Sequence, residues 1–194
     1  MPFILRSVNV SAARAVSIEG RTVMTGIFKQ AVDGPVAVTT RGLEGDEQAD
    51  LSVHGGLTKA VYAYPAEHYP FWQTVRAQAG VAAWDQPLQP GALGENLTLS
   101  GLLESGVCIG DMLRFADCEL VVAEPRYPCF KFNAAMGFRH AAALMRQNTW
   151  CGFYLAVKTP GRLVAGESFE RVDGPREIGI EELFRARMRR DKRD

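Results

Sequence analysis

The sequence predicts a mostly β fold, a barrel or a sandwich, with a few short helices. Three observations carry that expectation. Short runs rich in β-branched and aromatic residues recur along the chain, broken by glycine-bearing turns about every ten residues. The 194 residues are 47% hydrophobic, enough for one full core without disulfide staples. No internal repeat, low-complexity tract or apolar run near the roughly 18 residues of a membrane span interrupts them.

Phe3–Val10, Ala15–Ile18, Thr22–Phe28 and Pro35–Thr40 read as strands, separated by Gly20, Asp33-Gly34 and similar breakers. A helix follows with Pro65 in its first turn. Tyr69, Trp72, Val75 and Ala79 form its apolar face, and Gly80 ends it. Asp85, Pro87, Pro90, Gly91 and Gly94 mark a loop. Asp111–Phe115 and Cys118–Ala123 fit two further strands. Phe138, Ala141, Ala142 and Met145 mark a short helix, with His68 and His140 read as helix-surface groups. Trp150–Lys158 and Leu163–Val172 read as two more strands.

Asp173-Gly174-Pro175 signals a boundary, dividing residues 1–173, the β domain, from 174–194. Ile180, Leu183 and Phe184 give the tail a helical face. Residues 185–194 hold six basic and two acidic groups. That run is either a solvated helix end or a tail for an acidic partner.

Charge and cysteine usage exclude several classes. Lys and Arg number 22 against 22 Asp and Glu, so neither a nucleic-acid binder nor a membrane-surface binder is expected. The start, Met1-Pro2-Phe3-Ile4-Leu5-Arg6, lacks a basic stretch followed by a long apolar one, so a reduced, cytoplasmic setting is expected. Cys108, Cys118, Cys129 and Cys151 stand 10, 11 and 22 residues apart, outside any close-paired zinc or redox spacing.

Three segments have compositions that packing alone does not explain. Residues 40–59 carry Gly42, Gly45, Gly55 and Gly56 with Arg41, His54 and Lys59. They read either as an anion-binding set of turns or as ordinary hairpin loops. Gly91-Ala92-Leu93-Gly94-Glu95-Asn96 allows close backbone approach beside an amide that donates and accepts, or simply leads into a strand. In Glu124-Pro125-Arg126-Tyr127-Pro128-Cys129-Phe130-Lys131-Phe132-Asn133 the prolines predict a stiff loop. Its lone thiol lies between Arg126 and Lys131, cations that favour thiolate. The other three cysteines lack that context and read as core. One thiolate cannot close a protein-only metal site, so any metal would arrive with other ligands attached.

Taken together, Gly42-Leu43-Glu44-Gly45-Asp46-Glu47-Gln48-Ala49 with Val53-His54-Gly55-Gly56, Tyr64-Pro65-Ala66-Glu67-His68-Tyr69, Gly94-Glu95-Asn96-Leu97 and Pro125-Arg126-Tyr127-Pro128-Cys129-Phe130-Lys131 resemble MOSC domain proteins. MOSC names the C-terminal domain of molybdenum-cofactor sulfurases. The branch that looks nearest is the bacterial one linked to resistance to 6-N-hydroxylaminopurine.

The resemblance implies a MOSC-type β-barrel with a pocket for the molybdenum cofactor and, at the family level, an association with pyridoxal phosphate. It places Cys129 as the ligand of molybdenum and the catalytic residue. Arg41, His54, Gly55, Gly56, Lys59, Asn96, Arg126 and Lys131 are implied as cofactor-binding candidates. The implied activity is a molybdenum-dependent reductase of N-hydroxylated bases or related N-oxygenated compounds, with Tyr127 or Phe130 available to stack a substrate base. A sulfur carrier using a Cys129 persulfide, or a non-catalytic cofactor-binding module, is the alternative. Partners would be a small-molecule substrate and an external electron donor of flavoprotein or ferredoxin type, or a cysteine desulfurase. Relatives in this branch carry a three-helix extension, whereas about twenty residues follow Asp173 here, room for one helix.

Overall fold

The computed structural model describes residues 2–49 and 56–190. The first strand, β1 (Phe3–Val10), buries Leu5 and the run Ser7–Asn9. Strands β2 (Arg14–Ile18) and β3 (Arg21–Thr25) form a hairpin with its own two-stranded sheet. Next come β4 (Gln30–Ala31), β5 (Val36–Thr39), β6 (Gly42–Leu43) and β7 (Val61–Pro65). One 3-10 turn, 66–68, leads into helix α1 (Tyr69–Gln78). Strands β8 (Leu97–Ser100), β9 (Met112–Arg114) and β10 (Glu119–Pro125) precede helices α2 (Phe130–Met136) and α3 (Ala141–Asn148). The chain continues through β11 (Phe153–Thr159), β12 (Gly161–Leu163), β13 (Ser168–Val172) and α4 (Ile180–Arg190).

Seven strands close on themselves in the order β13-β9-β10-β11-β7-β8-β1, the ring completed by pairing of β13 with β1. Among the pairings of this ring, the one between β7 and β8 is parallel and the others antiparallel. Closure removes the sheet edges that would otherwise invite association. Irregular register in β1 between Leu5 and Ser7, and in β10 between Val122 and Glu124, supplies the bends that closure needs. Leu5, Leu97, Leu99, Leu113, Leu120, Phe153 and Leu155 are fully buried. Strand β12 pairs instead with β5 in a small side sheet.

The structure departs from the sequence expectations at four places. All five residues of β7 are buried, so the strand has no alternation to reveal it. Trp72 of α1 covers it and donates from Nε1 to Tyr64 Oη at 2.6 Å. Pro65 therefore ends a strand rather than opening a helix, and Pro70 takes the place in the first turn of α1. The expected strand Leu163–Val172 divides in two at a turn where Gly166 has φ 92°. The segment read as a loop through Asn133 becomes helical from Phe130, with Phe132 and Met136 buried one turn apart. His68 is not a surface group: its ring stacks on Trp150 at 4.4 Å, and its Nε2 lies 2.8 Å from Glu104 Oε2. The 3-10 turn that carries His68 lies against the strand-β11 approach instead of facing water.

The tail helix packs on the barrel. Ile180 and Phe184 are fully buried, and Phe184 stacks on Tyr127 at 5.5 Å. No helix among the described residues is long and apolar enough to cross a membrane.

Candidate functional site

Connections from distant parts of the chain meet at one hollow. The β3–β4 connection brings Thr25, Gly26, Ile27 and Lys29, and the chain after β6 brings Asp46 to Ala49. Tyr62 comes from β7, Gly94 and Asn96 from the approach to β8, Arg126, Cys129 and Lys131 from the β10–α2 region, and Tyr154 from β11. The enclosed part of the hollow measures about 100 Å³ and opens to solvent at its mouth.

Backbone placement around it rests on a buried carboxylate. Glu95 is fully buried. Its Oε1 accepts from Tyr69 Oη, from the Gly91 N–H at 2.8 Å and from Thr98 Oγ1 at 3.0 Å. Its Oε2 accepts from the Leu93 N–H at 3.0 Å. Burial pushes the Glu95 pKa up, and these donors act against that shift. The clamp fixes the loop so that Gly94, at φ 84°, presses against Ile27, where a Cβ would come within 2.7 Å of Ile27 Cγ1.

Arg126 is the unusual charge. The side chain is buried and lies over the rings of Phe132 and Tyr62, at 4.7 and 5.1 Å. Its Nη1 lies 3.7 Å from Met145 Sδ, and the guanidinium also hydrogen-bonds with the Tyr154 side chain. No carboxylate of the described residues forms an ion pair with it. Burial opposes its charge, yet the Tyr62, Tyr154 and Cys129 side chains around it hold its pKa above the ordinary arginine value. A buried cation that no carboxylate of the described residues neutralises is costly unless something anionic joins it.

Cys129 is half-buried, lines the hollow, and stands at the N-terminal cap of α2. The other thiols differ. Cys118 is buried, with its pKa pushed up by burial to about 12, and buried Cys151 is pushed up strongly for the same reason. Cys108 is half-buried beside the Asp111 turn, outside the hollow. Lys131 lines the hollow and donates from Nζ to Met24 O at 3.2 Å, tying α2 to the β2–β3 hairpin. Lys29 is almost wholly buried and paired with Asp46, whose Oδ1 also accepts from the Ser11 N–H at 2.9 Å. Burial lowers the Lys29 pKa, while Asp46 and Glu95 act to raise it.

Among the residues singled out in the sequence, Asn96, Arg126, Cys129 and Lys131 converge on the hollow. The Asn96 amide serves the barrel itself: Oδ1 accepts from the Tyr62 N–H at 3.0 Å and Nδ2 donates to Asn9 O at 3.2 Å. Arg41 sits exposed in the β5–β6 turn, away from the lining. Lys59 pairs with Glu124 at 3.7 Å and lies outside the lining, and Gly56 donates its N–H to Gln48 Oε1 at 3.3 Å. His54 and Gly55 lie outside the described residues. Tyr127 is engaged by Phe184 and by Arg187, 4.3 Å from its ring centre, so its face is not open to a substrate. Phe130 is half exposed. Lys29, Tyr62 and Tyr154 escaped the sequence reading because each sits in a segment whose pattern reports only strand or turn.

Among the described residues no three His, Cys, Asp or Glu side chains gather as metal ligands. What the arrangement offers is a single sulfur donor beside fixed positive charge, suited to an anionic group that brings most of its own ligands.

Comparison with known proteins gives the following. The model of the MOSC domain matches residues 50–170. The uncharacterized protein YflK of Bacillus subtilis is 38% identical over 164 residues, covering 84% of this chain and 71% of that protein. A protein of Gibberella moniliformis called a reductase is 31% identical over 196 residues, covering 96% of this chain but 33% of its own length. The crystal structure of YiiM from Geobacillus stearothermophilus superimposes with a TM-score of 0.76 at 30% identity, covering 100% of this chain and 86% of that one.

Proposed function

The chain belongs to the MOSC domain family, a family associated with the molybdenum cofactor, and on that premise we propose that it is a molybdenum-cofactor oxidoreductase that reduces N-hydroxylated bases or related N-oxygenated compounds. The observation that carries the reading is Arg126: a buried guanidinium without a carboxylate partner among the described residues, in the wall that also presents Cys129. The donor set fits the cofactor. A lone thiolate is a soft ligand for a metal already held by dithiolene sulfur, and Arg126 and Lys131 can meet the negative charge of that group. When bound, the cofactor supplies two-electron chemistry at the substrate's N–O bond.

The chain's own residues do the rest. Cys129 holds the metal. Arg126 and Lys131 fix the orientation of the anionic group. The walls formed by Tyr62, Tyr154 and Ile27 keep water off the reacting atoms and strengthen every charge inside. That a protein called a reductase matches 96% of this chain, which spans 33% of that protein's length, supports a redox reading.

The test is turnover. Protein made in a cofactor-competent host and supplied with dithionite is expected to convert 6-N-hydroxylaminopurine to the amine. Cys129→Ser is expected to lose tenfold or more in kcat/KM, as losses around metal sites commonly do. A wild-type protein loaded with cofactor yet inert toward N-hydroxylated substrates would contradict the reading.

A further inference from the structure

We propose that helices α3 and α4 hold the Cys129 sulfur in place for the metal, with Arg146, Tyr127 and Arg187 as its positioning residues. This role rests on the cofactor reading above.

Strand β10 last pairs with β11 at Pro125. Residues 126–129 then cross to the start of α2, and Cys129 is the last of them. A metal ligand needs a carrier that holds still, and Pro128 has no N–H with which to anchor its own backbone. Two helices supply the anchors. On α3, Arg146 Nη2 donates to Pro128 O at 3.2 Å, and the neighbouring Met145 Sδ lies 3.7 Å from Arg126 Nη1. Consecutive residues of one helix therefore brace the Arg126 side chain and the carbonyl of the peptide that leads into Cys129. On α4, Phe184 stacks on Tyr127, the planes 8° apart and the centres 5.5 Å apart. The Arg187 guanidinium lies 4.3 Å from the centre of the same ring.

Both braces are fixed to the barrel and its helices. The Ala142 N–H at the start of α3 donates to Asn133 Oδ1 at 2.8 Å, and Ala141, Ala142 and Met145 are buried. Ahead of α4, the Ile180 N–H donates to Val107 O and the Ile109 N–H to Ile178 O, each at 2.9 Å. The two flanks of α4 differ. Glu181, Glu182, Arg185 and Arg189 line a separate surface groove with Glu104, whereas Arg187 is turned to Tyr127. The Cys129 carbonyl accepts from the Phe132 N–H at 3.0 Å, so a shift at Pro128 moves the thiol and loosens the first turn of α2 together.

The test removes the braces singly with Arg146→Met, Arg187→Met and Tyr127→Leu. Arg146→Lys keeps a cationic donor for Pro128 O. Residues 125–166 hold six Lys and Arg and no Asp or Glu, so a control must separate position from charge. Arg139→Met serves, because it removes a charge from that stretch whose guanidinium bonds the His140 ring. In cofactor-free protein, exchange of the Phe132 N–H is expected to rise about tenfold in Arg146→Met, as loss of a hydrogen bond from a charged donor implies. In holoprotein, molybdenum affinity is expected to fall roughly tenfold to a hundredfold in each of the three variants. The paramagnetic resonance signal of the partly reduced metal should then split into several species. Arg146→Lys should recover most of both properties, and Arg139→Met should match wild type.

Wild-type exchange and molybdenum retention in all three variants would overturn the proposal. So would an equal loss of metal in Arg139→Met, which would make the effect one of charge alone. A wild type that binds no molybdenum removes the cofactor reading and this role with it, even where the exchange differences persist.

Discussion

Replacing Arg126 with methionine is expected to empty the pocket of its guest without unfolding the barrel. Two opposing effects set the stability. Methionine relieves the desolvation of a buried charge that no carboxylate of the described residues neutralises, and it forfeits the contacts with Phe132 and Tyr62. Each is of order 1 to a few kcal/mol, so the net change should be within about 1 kcal/mol, or roughly 2–4 °C in Tm for a chain of this length. Binding has no such cancellation. An interaction between a buried cation and an anion contributes about 1.5–3 kcal/mol, so cofactor retention should fall roughly tenfold to a hundredfold. Thermal melts of cofactor-free protein, and the fluorescent pterin released from purified holoprotein, measure the two quantities. A large drop in Tm with unchanged pterin would mean that Arg126 serves packing alone.

Gly152→Ala should produce the opposite pattern, with heavy damage to the fold. Gly152 sits at φ 62°, and an added Cβ would lie 2.4 Å from Ala63 O, 2.8 Å from Tyr62 Cε2 and 2.9 Å from Tyr64 Cδ2. The nearest of these is backbone of β7 and cannot swing away. The same residue donates its N–H to Glu104 Oε1 at 2.8 Å and accepts from the Arg126 N–H at 3.5 Å. One methyl group therefore strains the backbone and pushes apart β7, the Glu104 turn and the segment that carries Arg126. A loss of about 3 kcal/mol or more is expected, or about 6–12 °C in Tm. An unchanged melting temperature would show that β7 and β11 are packed less closely here than described.

What was legible in the sequence follows from where local pattern and tertiary role agree. Strand β1 is an apolar, β-branched run before a turn, and its expected and observed limits coincide at Phe3 and Val10. The face of α4 was readable because Ile180 and Phe184 stand one turn apart. Strand β7 was not, because burial on both sides removes the period that marks a half-exposed strand. Helix α2 was hidden by its start: Cys129 makes no side-chain capping hydrogen bond, and the two preceding prolines argue for extended chain. His68 misled for a related reason. A histidine near a helix is ordinarily solvated, and only the long-range pairing with Glu104 and Trp150 buries it.

The site divides along the same line. Arg126, Cys129 and Lys131 share one short segment, so their local charge pattern pointed to the hollow they line. Lys29, Asp46, Tyr62 and Tyr154 reach it from four separate segments, and sequence spacing carries no record of such convergence. Arg41 stands beside glycine in a glycine-rich stretch, and in the structure it is exposed in the β5–β6 turn, outside the residues that line the hollow.

Molybdenum content per chain in wild type and in Cys129→Ser, both purified from a cofactor-competent host, bears most directly on the central claim that this hollow is a cofactor site closed by one thiolate. About one metal per chain in wild type and under a tenth of that in the variant is the expected result, with both proteins melting alike. Equal loading of the two, or a wild type that carries no molybdenum, would contradict it.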